Sequence, residues 1–175
     1  MATSTLAPTD DAASPPVPRR EVLLSFAAQV EALDALIDRA QRSIRVFDID
    51  LSEMGWNTTA RAERITRFVR ASQTATLDIV VHDTQWIERS CPRLTNLLKF
   101  YAHAITIRRT GEDAKHATDP LAIVDDRHFL HRLHIARARA VLSTDNLEAA
   151  KPLVARLDAI WAGAVPGVSA SVTGL

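Results

Sequence analysis

The sequence predicts an α/β fold in which a mixed β-sheet is flanked by helices, and three observations indicate it. Short β-branched segments alternate with helical patterns over residues 21–110. A run of short apolar segments follows over residues 119–144, and one long helical pattern comes after it. Alternating strands and helices are typical of parallel strands, whereas consecutive short strands add antiparallel ones, so the sheet is predicted to be mixed.

The first half of the chain supplies the alternating elements. Residues 21–40 repeat apolar side chains at helical spacing, and residues 43–51, "SIRVFDIDL", are short and β-branched like a strand. Residues 57–70 form a second predicted helix, with Ile65 and Phe68 on its apolar face. The next predicted elements are a strand at 75–83, a helix at 91–101 and a strand at 104–110.

The second half supplies the consecutive strands. Residues 119–126 and 127–135 are predicted to be adjacent strands, with the stretch Asp125-Asp126-Arg127 as the turn. Residues 138–144 form a further predicted strand. Residues 147–162 form the last helix, for which Asp145 or Asn146 is the N-cap. The segment after residue 162 is unassigned.

Length and composition suit one globular domain. The chain has 175 residues, of which 47% are apolar and 24% charged, enough for a single buried core. The 21 basic and 21 acidic side chains cancel, which argues against wholesale nucleic-acid binding. Cys91 is the only cysteine, which excludes an internal disulfide and a cysteine-based zinc site.

Residues 1–20 are predicted to be a disordered tail, and residues 21–175 a single α/β domain. The tail holds four of the eight prolines and lacks the apolar core of a signal peptide. No apolar stretch approaches the roughly 20 residues that cross a bilayer. We therefore expect a soluble, cytoplasmic protein without a transmembrane segment.

The segment 115–134 gathers four of the six histidines. On a strand, His128 and His134 share a face but lie about 20 Å apart, too far to ligate one ion. His131 falls on the opposite, apolar face and is interpreted as a hydrogen-bonded core histidine. No metal site and no cofactor are predicted here.

Arg132 and His134 form a candidate anion site. They are two residues apart and therefore neighbours on one strand face, and a guanidinium beside an imidazole suits phosphate or carboxylate. Asp125 and Asp126, in the turn before this strand, are the candidates for orienting them. The alternative is a salt bridge to one of these aspartates, with no ligand.

An alternative catalytic hypothesis rests on Asp48 and Asp50, which share one face where the first predicted strand ends. With Thr84, Lys115 and the pair at 125–126, they resemble the haloacid dehalogenase-type phosphatases. That resemblance implies Asp48 as nucleophile, Asp50 as acid/base and further acids on magnesium. The two residues after Asp50 depart from the family pattern.

A third hypothesis is a nucleic-acid or membrane-surface contact through the second helix, which carries Arg61, Arg64, Arg67 and Arg70. Glu63 is placed to pair with one of these arginines at a spacing of four residues, and the net charge of the chain is zero. A solvated helix face is therefore the favoured interpretation.

From Phe26 onward, the order of features resembles one half of a phospholipase D-like fold. The likeness is carried by "ALIDRAQRSIRVFDIDL", "LDIVVHD", "AITIRR", and "VDD" before an arginine-bearing strand. It covers roughly residues 25–175 and, through "CPRL" and a terminal "TGL", is closest to a bacterial group of uncharacterised proteins. A single half in this superfamily pairs with a twin, so the resemblance implies a homodimer.

Phospholipase D enzymes carry a His-x-Lys-x4-Asp motif, in which the histidine attacks phosphorus and the lysine neutralises the phosphoryl oxygens. With Asp125 aligned to the motif's aspartate, Thr118 stands at the histidine position and Pro120 at the lysine position. Neither side chain can do that work. The resemblance therefore implies a degenerate, non-catalytic domain that binds an anionic ligand or a protein partner.

Overall fold

The computed structural model describes residues 16–170, in which eight strands form one mixed sheet with helices on both faces. This architecture confirms the predicted fold class. The strands are β1 (Arg19–Leu23), β2 (Ser43–Asp48), β3 (Thr76–Val81), β4 (Ile105–Arg109), β5 (Leu121–Val124), β6 (His128–Arg132), β7 (Ala140–Thr144) and β8 (Val165–Pro166). The helices are α1 (Phe26–Arg39), α2 (Thr59–Ala71), α3 (Gln85–Ser90), α4 (Pro92–Phe100) and α5 (Leu147–Ala162), with a 3-10 turn at Glu112–Ala114.

The strand order across the sheet is β1-β7-β6-β5-β2-β3-β4-β8. Strands β2, β3 and β4 are parallel, and every other pairing is antiparallel. We call the edge where β2, β3 and β4 end the upper edge, and the edge where they begin the lower edge. Because β5 is antiparallel to β2, with Phe47 opposite Leu121, it begins at the upper edge and ends at the lower one.

The central strands are buried on both faces, which explains their nearly continuous apolar sequences. In β2, Val46 packs into the core beneath α1, α2 and α4, while Phe47 points to the core beneath α5. In β3, Ile79 packs into the first of these cores and Val80 into the second. Burying each such side chain contributes roughly 1.5–3 kcal/mol, so both faces of the sheet stabilise the domain.

The start of the domain differs from the prediction. Residues 19–23 form β1, which pairs with β7, and α1 begins at Phe26. The Ser25 hydroxyl caps this helix by accepting the N–H of Ala28 at 3.1 Å. Pairing with β7 satisfies backbone groups that a helical extension would leave at a solvated terminus. The last residues of the predicted tail therefore belong to β1. Residues 1–15 lie outside the described part of the chain.

Later elements follow the predicted periodicity with smaller differences. Helix α5 has the predicted limits, and the Asn146 side chain caps it by accepting the N–H of Ala149 at 3.0 Å. Helix α3 and strand β8 were not predicted, because a six-residue helix and a two-residue strand are too short to show a periodic pattern. Across residues 16–170, no helix has the length and apolar character needed to span a bilayer.

Candidate functional site

Asp48 ends β2 at the upper edge and is buried, with 6% of its surface exposed. Its Oδ1 accepts the N–H of Ile49 at 2.6 Å. Burial raises the pKa of this carboxyl from 3.8 to about 6, although the Ile49 hydrogen bond and the charge of Arg132 act in the opposite direction. Asp48 is therefore a carboxyl that ionises near neutral pH beside a cation.

Arg132 ends β6 at the same edge and is also buried, with 2% of its surface exposed. Its Nη1 donates to Glu53 Oε2 at 2.6 Å, and its Nε donates to Gln29 Oε1 at 3.2 Å. The guanidinium lies over the Phe26 ring, 4.9 Å from its centroid. The predicted ion pair with an aspartate of the β5–β6 turn is wrong, since the acidic partner is Glu53, which the loop after β2 supplies.

Asp125 directly follows the end of β5 and lies at the lower edge, far from Asp48 and Arg132 at the upper edge. Its carboxylate accepts the backbone N–H groups of Gln41, Arg42 and Ser43 at 2.9, 2.8 and 3.0 Å. It therefore ties the β5–β6 turn to the start of β2. The prediction that Asp125 and its neighbour orient Arg132 is wrong, because the antiparallel register puts this turn at the far end of β6 from Arg132.

Asp126 is the middle residue of the three-residue turn, residues 125–127, between β5 and β6. Asp125 and Asp126 have φ angles of 52° and 57°, the conformation of a type I′ hairpin turn, which aspartate tolerates better than most residues. The hairpin closes through the N–H of Arg127, which donates to the Val124 carbonyl at 3.2 Å. The local sequence thus explains the turn, and the turn explains why both aspartates lie at the lower edge.

His134 lies beyond the end of β6, on an exposed turn. Its Nδ1 accepts the N–H of Ala136 at 3.1 Å, and its carbonyl accepts the N–H of Arg137 at 3.1 Å. His134 and Arg132 therefore do not share a strand as predicted. The imidazole is exposed, and its Nε2 is accessible to solvent two residues beyond the end of β6.

His131 is partly exposed at the margin of the core beneath α5, where its cross-strand neighbours Leu121 and Val141 are buried. Its Nε2 lies 3.0 Å from Asp119 Oδ2, and Arg156 donates to the other oxygen of the same carboxylate. The predicted hydrogen bond and the predicted apolar strand face are both present, although the His131 side chain is not fully buried. Asp119 joins β6 to α5 just before Pro120, on the α5 side of the upper edge.

Thr118 and Pro120 precede β5 at the upper edge. The Pro120 carbonyl accepts the N–H of Arg132 at 2.9 Å, and the Thr118 carbonyl accepts the N–H of Ile135 at 2.8 Å. Thr118 is exposed, whereas Pro120 is buried against a cavity of about 20 Å³ that Asp48 and Arg132 also line. A cavity of that size holds at most one water molecule.

The predicted phosphatase constellation is not assembled. Asp50 accepts the N–H and hydroxyl of Ser52, and Thr84 donates to Glu88. Lys115 forms an exposed ion pair with Glu112, and the two aspartates of the β5–β6 turn lie at the other edge from Asp48. Between residues 16 and 170, no three His, Cys, Asp or Glu side chains gather as metal ligands.

The arginines of α2 are largely neutralised by α1. Arg61 is fully buried, its Nε donates to Asp34 at 2.5 Å, and burial lowers its pKa. Arg64 and Arg67 both donate to Asp38, at 2.9 and 3.0 Å. The predicted pairing with Glu63 is therefore replaced by pairing with the neighbouring helix, and this face of α2 does not present four free cations.

Several residues of these clusters were missed from the sequence. Gln29 is a polar residue on the buried stripe of α1, in line with Leu33 and Leu36, and that position could have identified it as a partner for a buried charge. Glu53 carries no comparable signal, because it lies in a loop whose path depends on tertiary contacts. The pairing of α1 aspartates with α2 arginines also follows only from how the two helices pack.

The mixed sheet with helices on both faces is similar to the fold of phospholipase D family members. Nuc of Salmonella typhimurium, a phospholipase D family member, is similar with a TM-score of 0.59 at 17% identity, covering 87% of this chain and 100% of that chain. NucT of Helicobacter pylori is similar with a TM-score of 0.55 at 15% identity, covering 86% of this chain and 100% of that one.

TrmBL2, an archaeal chromatin protein whose structure shows a novel mode of DNA binding, has a TM-score of 0.65 at 12% identity. The similarity covers 90% of this chain, which spans 57% of TrmBL2. At such identities these likenesses show the fold alone. The chain belongs to the family described as Domain of unknown function (DUF7931), whose model matches residues 25–169. No curated protein matches the sequence.

Proposed function

We propose that this chain is a non-catalytic phospholipase D-like domain, a degenerate single half, that binds an anionic ligand or partner at its upper edge. The observation that carries the proposal is the chemistry at the two aligned motif positions. Thr118 offers a hydroxyl instead of an imidazole nucleophile, and Pro120 offers no cation. Loss of a nucleophile costs several orders of magnitude in rate, so binding is the function that this edge retains.

Arg132 supports the binding half of the proposal. Its guanidinium is held in place by Gln29 and stacks on Phe26, so it is oriented before any ligand arrives. Glu53, whose side chain is 48% exposed, already places a carboxylate on this guanidinium. A ligand phosphate or carboxylate would take the place of Glu53, which can turn into solvent, and the exposed His134 would lie at the periphery.

Exposed apolar side chains beside this edge support a protein partner. Leu24, Phe26 and Leu133 are 74%, 37% and 48% exposed, and Phe26 contacts Arg132 directly. A homodimer, which the phospholipase D resemblance implies, would cover such a surface, and we include a cytoplasmic homodimer in the proposal. Sedimentation equilibrium of the purified chain, whose monomer mass is 19.2 kDa, tests that part.

We expect no phosphodiesterase activity above background on bis(p-nitrophenyl) phosphate, with or without Mg²⁺, because nucleophile and phosphate-gripping cation are both replaced. The assay follows nitrophenolate release. Turnover that disappears in Arg132→Ala and His134→Ala, but persists in the exposed control Lys151→Ala, would contradict the proposal.

Glu53→Gln should raise the affinity of the domain for inorganic phosphate by roughly tenfold, because the variant frees the Arg132 guanidinium from its internal carboxylate. Isothermal titration calorimetry measures this affinity. Glu63→Gln is the matched control, since it removes one exposed carboxylate elsewhere on the surface. Equal phosphate affinities in the two variants would show that Glu53 does not compete with the anion for Arg132.

A further inference from the structure

A polar cavity of about 660 Å³ lies at the lower edge, at the opposite end of β2 from Arg132. It forms where the α1–β2 connection, the β5–β6 turn and the β7–α5 turn meet. Three arginines line it: Arg39, Arg42 and Arg127, which we call the lower-edge arginines. Its size lies within the range of small-molecule sites.

The acidic side chains of this cavity are already engaged. The Asp125 carboxylate accepts three backbone N–H groups, and Asp38 accepts two guanidinium groups from α2. Asp145 lies 3.6 Å from Arg39. None of these three carboxylates forms an ion pair with either of the remaining two lower-edge arginines.

Arg42 and Arg127 are exposed, and within residues 16–170 neither forms an ion pair. Their backbones are nevertheless fixed. The Arg42 N–H donates to Asp125 and its carbonyl accepts the N–H of Thr76, while the Arg127 carbonyl accepts the N–H of Asn146. Two cations thus extend from ordered backbone into one cavity, which reduces the ordering cost of binding.

We propose that the lower-edge arginines bind a phosphate group. Arginine forms bidentate, charge-assisted hydrogen bonds with phosphate oxygens, and a ligand with two or more negative charges would satisfy Arg42 and Arg127 together. This site goes beyond the upper-edge proposal, because the two ends of β2 lie roughly 17 Å apart at 3.3 Å per residue. The phosphate belongs either to a small soluble ligand or to a nucleic-acid backbone.

The test is a calorimetric titration of the full chain with inorganic pyrophosphate, and a second one with a short DNA duplex at low and moderate salt. The double variant Arg42→Gln/Arg127→Gln should lose about tenfold or more in affinity, since two charge-assisted contacts are removed. The matched control is Arg89→Gln/Arg109→Gln, which removes two exposed charges near the upper edge. The control should bind as the wild type does.

Binding of pyrophosphate alone, lost in the lower-edge variant, supports the site and identifies a small phosphorylated ligand. Binding of the duplex, lost in the same variant and weakened by salt, supports it with nucleic-acid phosphate as the source. Failure of the wild type to bind either probe overturns the proposal. So does equal affinity of the two double variants, weakened or not, because binding would then reflect overall charge or the upper-edge site.

Discussion

Asp125→Ala should lower the free energy of unfolding by about 3–5 kcal/mol, because one carboxylate satisfies three backbone N–H groups at a partly buried junction. Without it, the start of β2 loses its link to the β5–β6 turn, and alanine is strained at a φ of 52°. Urea unfolding measures the change, with the midpoint and slope compared between variants.

Asp126→Ala is the matched control for this prediction. Asp126 has nearly the same backbone conformation, with φ at 57°, but no N–H group of residues 16–170 donates to its side chain. Its replacement should cost only the left-handed strain, about 1–2 kcal/mol. If the two variants unfold at the same urea concentration, the three hydrogen bonds of Asp125 contribute nothing beyond turn conformation.

Asp48→Asn should stabilise the domain by about 3 kcal/mol at pH 8, with the gain vanishing toward pH 4. Burial raises the pKa of Asp48 from 3.8 to about 6, so the fold favours the neutral carboxyl. The favourable contribution of the protonated group is complete below pH 3.8 and is lost as the pH rises through about 6. Each pKa unit between the unfolded and the folded state corresponds to about 1.4 kcal/mol of stability. Asparagine avoids this cost because it carries no charge to desolvate.

Urea unfolding of Asp48→Asn and wild type between pH 4 and pH 8 measures this difference. Asp50→Asn is the control, since Asp50 lies two residues away and is less buried, and among residues 16–170 its side chain accepts hydrogen bonds only from Ser52. It should not reproduce the pH-dependent gain. A destabilised Asp48→Asn at pH 8 would mean that attraction to Arg132 outweighs the cost of burying the carboxylate.

Local sequence was sufficient for much of the fold. Helix α5 shows the predicted limits because its apolar spacing and its Asn146 cap both act within one element. The β5–β6 hairpin was predictable because two adjacent aspartates favour a tight turn. Helix α1 was predicted to begin five residues too early, since Leu23 fits a helical stripe as well as it fits a strand that pairs with β7.

The candidate site depended far more on contacts distant in sequence. Arg132 was predicted as an anion ligand from its two-residue spacing to His134, but its partners Gln29 and Glu53 lie 103 and 79 residues away. Arg61 shows the same limit, because its neutralisation by Asp34 requires α1 and α2 to pack side by side. A periodic pattern reports which face of an element is buried, and not which neighbour covers it.

The sequence by itself determined the α/β class and the succession of most strands and helices. Only the tertiary structure decided that Asp125 and Arg132 lie at opposite edges of the sheet, and that Glu53 holds the arginine. The physical reason is the direction of β5. Whether a strand pairs parallel or antiparallel depends on long-range hydrogen bonds, and that direction decides which strand ends, and therefore which charges, meet.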